Sequence, residues 1–201
     1  MSNKNEFKPY ISADKVLPEL TVTSIIIGLI LAVVFGAANA YLGLRVGMTI
    51  SASIPAAVIS MGIIRVIMKR NSILENNMVQ TIGSAGESLA AGAIFTLPAL
   101  FMWAAESSSV VAPSFWNIAM LGLFGGILGV LFMIPLRNAL IVEEHGVLPF
   151  PEGTACAEVL LAGEEGGAKT KVVFSGLGIA AIYKFIADGI KLFPSEIAWR
   201  I

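Results

Sequence analysis

The sequence predicts an all-α polytopic integral membrane protein, and three observations carry that prediction. Of its 201 residues 56% are hydrophobic and only 13% charged, where soluble domains carry about 25% charged residues. Charge-free runs of membrane length recur along the chain, and lysines and arginines gather at alternate ends of these runs. The pattern reads as about five spans, at residues 20–44, 46–68, 78–103, 115–136 and 172–193, with a Pro/Gly-broken hairpin or half-helix at 143–171. The lipid bilayer is therefore the first partner. A net charge of −1 supplies no basic face for nucleic acid. One cysteine, Cys156, and one histidine, His145, are too few for an internal disulfide, an ordinary zinc site or a Ser/His/Asp set. No metal site, cofactor or enzymatic activity is expected.

Residues 1–19 are polar, with Pro9 and Pro18 against continuous helix, and read as a cytosolic lead-in. The run 20–44 is uncharged and longer than a signal-peptide core, and more spans follow at once, so the Ala38-Asn39-Ala40 triplet is not read as a cleavage site. Gly28, Ala32, Gly36 and Ala40 recur every four residues, a groove for close helix packing. Then Asn39, Tyr41 and Arg45 interrupt the apolar pattern. Arg45 either snorkels to the interface or binds a carboxylate, that of Glu87 or of a substrate. The second run, 46–68, carries Ser51, Ser53 and Pro55 near its start and closes on Arg65, Lys69 and Arg70; a proline so early in a helix requires no kink.

The third run holds one charge between residues 78 and 105, Glu87. It sits roughly 14 Å along a helix that needs about 30 Å to cross a bilayer. An acid at that depth costs at least ~2.5 kcal/mol on insertion scales, so it finds a partner or carries an ion or proton. Gln80, Ser84, Glu87 and Ser88 share one helical stripe. The fourth run contains Gly122/Gly126 and Gly125/Gly129, two interleaved small-residue pairs suited to close packing against a neighbour. Lysine and arginine flank the first, second and fourth runs while the loop after the third has none, which places the N-terminus in the cytoplasm.

Residues 143–171 break the rhythm. Pro149 and Pro151 bracket Phe150, Gly153 permits unusual backbone angles, and Thr154 is read as the cap of a short helix with Glu158 in its first turns. Such a start resembles the discontinuous helices of transporters, whose unpaired amides face anionic groups; a surface connector accounts for the same composition. The run 172–193 is weaker, with Lys184 and Asp188 placed to pair on one face. The GxGxxA-like stretch from Gly176 to Ala181, with Glu196 beyond it, lacks the strand and helix units of a dinucleotide fold, and Gly83-Ser84-Ala85-Gly86 lacks the lysine of a phosphate loop.

Three stretches together resemble the oligopeptide transporter superfamily, which includes the yellow-stripe-like carriers of metal chelates. They are FGAANAYLGLRVGMTISASIPAA at 35–57, ENNMVQTIGSAGESLAAGAIFTLPAL at 75–100 and LIVEEHGVLPFPEGTACAEVLLAG at 140–163. The resemblance implies a proton-coupled secondary transporter of small peptides or metal-chelate complexes in the cytoplasmic membrane. Members are several times longer, so the chain looks like the N-terminal portion and needs the remainder of the transporter chain as a partner. Peptides and chelates carry carboxylates and amines, so a site needs positive potential and an acid. Arg45 and the helix start at Glu152, Gly153 and Thr154 are candidates for the first, and Glu87 for the second and for exchanging protons; Asn39, Gln80, Ser84 and Glu158 complete the candidate path. An uncoupled channel or facilitator, and a non-transport membrane subunit in which Glu87 and Arg45 only hold helices together, are the competing readings.

Overall fold

The computed structural model describes residues 9–12, 14–70, 72–107, 109–165 and 167–191. Six α-helices follow one another: α1 Val22–Val46, α2 Ser53–Met61, α3 Ile73–Glu106, α4 Phe115–Arg137, α5 Pro151–Glu165 and α6 Gly167–Lys184. Single π-helical turns extend α2 (Gly62–Ile67), α4 (Asn138–Glu143) and α6 (Phe185–Ile190). There is no strand among the described residues. Four helical stretches are long and apolar enough to cross a bilayer, Val22–Val46, Ile73–Glu106, Phe115–Glu143 and Thr170–Ala187, and the chain is a multi-pass membrane protein. The expected Lys184–Asp188 pair, Glu196 and the end of the 172–193 run lie outside the described side chains.

α1 begins at a capping box, in which Thr21 Oγ1 accepts from the Ser24 N–H and Ser24 Oγ from the Thr21 N–H. It ends on Gly47, whose φ of 73° only glycine adopts without strain. α3 is capped by Ser72, and its 34 residues make it about 51 Å long. The four-residue stripe of α1 packs on α3. A Cβ on Gly28 would stand 2.7 Å from Ile82 Cβ, one on Gly36 3.1 Å from the Gly86 carbonyl oxygen, and one on Gly43 2.7 Å from Ile94 Cδ1, while one on Gly86 would overlap the Ala32 carbonyl. The order 28–82, 36–86, 43–94 makes the two helices parallel.

Parallel neighbours need a return strand of chain between them, and this is where the structure departs from the sequence reading. The helix expected over 46–68 starts only at Ser53; residues 47–52 are non-helical. α2 then runs antiparallel to α3: Ala52 lies against Glu87, Ala56 against Gly83, Ser60 against the Asn76 carbonyl. The six non-helical residues can reach up to about 20 Å and the fifteen helical ones about 22 Å, enough together to recross the membrane. This half-helix is the core of the molecule. Ala56, Ala57, Val58, Met61 and Ile64 are buried, packed on Leu31 and Val79 on one side and on Cys156 and Leu160 of α5 on the other.

α5 is a second short helix and runs parallel to α2, since Cys156 lies against Ser53, Gly163 against Met61, and the Glu164 carbonyl against Arg65. It starts at Pro151, the residue type suited to a first helical position. Thr154 is therefore not its cap; its N–H donates to the Phe150 carbonyl at 2.9 Å, inside the first turn. α4 behaves differently from expectation. It has no buried residue, and only Gly122 meets a neighbour, Leu89 of α3, whereas Gly125, Gly126 and Gly129 have nothing within 4 Å of a Cβ position. The close packing expected of these glycines is not made among the described residues, because α4 touches α3 only near that one turn.

Candidate functional site

The functional candidates gather where α2 and α5 begin, beside the middle of α3. Glu87 lies fourteen residues into α3 and is 7% exposed. Its Oε2 accepts the Ala52 N–H at 2.6 Å, so the acid closes the start of α2. Asn39 of α1, 3% exposed, holds the same region: its Oδ1 accepts the Ile50 N–H at 3.0 Å and its Nδ2 donates to the Glu87 carbonyl at 3.3 Å. Two side chains inside the membrane thus satisfy two amides of unwound backbone that no helix satisfies, as any break at membrane depth demands.

From α5 comes the second acid. Ser51 donates a short hydrogen bond to Glu152 Oε1, and Ser51 and Glu152 are also the further groups that act electrostatically on the Glu87 carboxylate. Two carboxylates therefore stand around Ser51, one buried and one exposed. Cys156 sits a turn further along α5, its thiol 3.8 Å from the Ser53 carbonyl. Beside these helix starts opens a groove of about 600 Å³, within the size range of small-molecule sites, whose polar lining includes Ser53, Asn77, Gln80 and Glu152.

Several sequence candidates are thus brought together and others are not. Asn39, Glu87 and Glu152 meet at the break, and Gln80 lines the groove. Ser84 bonds back to the Thr81 carbonyl on its own helix, and Thr154 and Glu158 are exposed on α5. Arg45 is not joined to Glu87: its guanidinium lies over the Tyr41 ring at 5.8 Å and donates to the Tyr41 hydroxyl. Six residues, more than a turn and a half, separate it from Asn39 along α1, and the α2 start takes the carboxylate instead. Sequence reasoning missed the roles of Ile50, Ser51 and Ala52, although Gly47 before a Thr-Ile-Ser run was an available sign of unwinding. It also missed Glu75, which is 1% exposed and receives Thr21 Oγ1 at 2.6 Å and Arg70 Nη2 at 2.7 Å, tying the foot of α1 to the foot of α3.

Half-helices that begin beside an intramembrane acid, within a bundle of continuous spans, also occur in membrane transport proteins. Residues 19–199 match the family of the OPT oligopeptide transporter protein, and the chain belongs to that family. It is 44% identical over 154 residues, 76% of its length, to a protein of Haemophilus influenzae described as "Putative oligopeptide transporter". The match spans 23% of that relative, so the chain corresponds to under a quarter of it. No solved structure matches.

Proposed function

We propose that the chain forms part of a secondary active transporter that carries small oligopeptides, or metals held by peptide-like chelators, across the cytoplasmic membrane, driven by protons. The observation that carries this reading is the meeting of two half-helix starts with Glu87 and Glu152, beside a groove that Ser53 and Glu152 line. Such a break offers main-chain amides, hydroxyls and carboxylates at one depth, the groups a zwitterionic cargo needs. The name of the Haemophilus relative supports peptides as the cargo. In this reading Glu87 has two tasks: it closes the start of α2, as its bond to the Ala52 N–H supports, and it exchanges a proton as cargo binds.

Uptake of a labelled tripeptide by the complete protein in proteoliposomes, with and without an inward proton gradient and with a ferric chelate as competitor, tests the proposal. Accumulation above equilibrium, dependent on the gradient, is the expected result. Equilibration without accumulation overturns coupling and leaves a facilitator. A second reading, in which Glu87 only holds the unwound segment, has its own support in the Ala52 hydrogen bond. It predicts that Glu87→Gln, which keeps an acceptor for Ala52, transports with unchanged pH dependence.

A further inference from the structure

The unwound segment between α1 and α2 is bonded on one edge only. In extended backbone the amides of residues i and i+2 point the same way and those between them the opposite way. Ile50 and Ala52 donate inward, to Asn39 Oδ1 at 3.0 Å and to Glu87 Oε2 at 2.6 Å. The intervening amides of Thr49 and Ser51 donate to no partner among the described residues. Met48, Ile50 and Ser51 are exposed, so the outer edge is uncovered there. Unpaired, non-helical backbone at membrane depth is tolerated only where it lines an aqueous cavity or is covered by more protein. Here it leads to the groove, since Ser53 and Glu152 belong to its wall and Ser51 bonds to Glu152.

From this geometry we infer that residues 48–51 are a docking strand for the main chain of a peptide cargo, which pairs along the free edge as an added strand. The inference rests on the transport reading above and names what that site recognises. The Thr49 and Ser51 N–H groups donate to carbonyls of the cargo. Glu152, at the end of the edge, takes the cargo's terminal ammonium in exchange for its bond with Ser51. Recognition by main chain is indifferent to side chains, which hang alternately to either side of the strand. Asn39 and Glu87 hold the strand flat from behind and so are positioning residues for the cargo.

The test uses the complete protein in nanodiscs and a labelled trialanine probe, displaced by three kinds of competitor. Tripeptides with altered side chains are expected to compete within about threefold of trialanine. A trialanine N-methylated at its central peptide nitrogen, which cannot present a strand edge, is expected to lose about tenfold or more, as is N-acetylated trialanine, which lacks the ammonium. In parallel, Thr49→Cys is treated with a membrane-impermeant thiol reagent, with the parent protein setting the background; labelling slowed by trialanine is expected. Equal competition by the N-methylated peptide, or discrimination governed by side chains, overturns the docking strand while leaving peptide transport intact. A Thr49→Cys thiol that is never labelled, in protein that still binds trialanine, means that another segment of the transporter covers the edge, and also overturns it. Absence of any trialanine binding or uptake instead overturns the transport reading for peptides.

Discussion

The pair α1–α3 and the pair α2–α5 are built on opposite plans. α1 and α3 are continuous, so their backbones are satisfied internally and their facing surfaces need only shape: glycines on one helix receive isoleucines or bare backbone from the other. α2 and α5 are interrupted, and the break exports unpaired amides that side chains elsewhere must meet. Asn39 and Glu87 do so from within α1 and α3. The polar residues of the continuous pair are thus explained by the needs of the broken pair. A carboxylate in a membrane helix is informative less about its own helix than about a neighbour that has stopped being one.

The largest effect should come from disturbing the continuous pair. A side chain at Gly86 meets the Ala32 backbone, which cannot step aside, so Gly86→Val should cost about 3 kcal/mol or prevent assembly, read as the melting temperature of detergent-solubilised protein. Next in size is Glu87→Ala, which leaves the buried Ala52 N–H without an acceptor at a cost of about 2 kcal/mol, whereas Glu87→Gln should stay within about 1 kcal/mol of the parent while gradient-driven uptake is lost. Equal destabilisation by both would assign Glu87's negative charge, rather than its acceptor oxygen, to holding α2. In the broken pair a filled glycine should matter less. Gly163→Ala collides only with the end of the Met61 side chain, a flexible thioether, and should cost about 1 kcal/mol. A penalty as large as that of Gly86→Val would erase the distinction between the pairs. The smallest change is expected for Thr154→Ala, below about 0.5 kcal/mol because the residue is exposed within the helix; a loss near 1 kcal/mol would restore it as a cap.

What the sequence made legible followed from length and small-residue spacing. The spans emerge from charge-free runs, the α1 stripe from glycines four apart, and the existence of a short helix in 143–171 from its Pro/Gly break, although its start was placed at Thr154 and not at Pro151. The unwound 47–52 segment was hidden because apolar length cannot tell a helix from extended chain followed by a half-helix; both are uncharged over the same residues. Glu87 stood out as the one intramembrane acid, but its partner was a backbone amide, which carries no sequence signature. Of the readings open for Arg45, the pair with Glu87 is not formed, since Arg45 lies over Tyr41 and the carboxylate takes the Ala52 N–H. The α4 glycines had the right spacing and lacked a facing helix among the described residues. Spacing indicates a surface fit for close approach and not what approaches it.

The knot at the feet of α1 and α3 carries a mechanical meaning. Thr21 and Arg70 converge on the buried Glu75, and Ser72 donates to the Pro18 carbonyl at 2.8 Å. With their lengths interlocked as well, the two helices form a single beam, clamped at one end and glued along its span. Such a beam turns only as one body. Any rocking of the half-helices against it must be absorbed at the six residues from Gly47 to Ala52, which makes the same short segment both the bearing of the machine and the surface that meets the load.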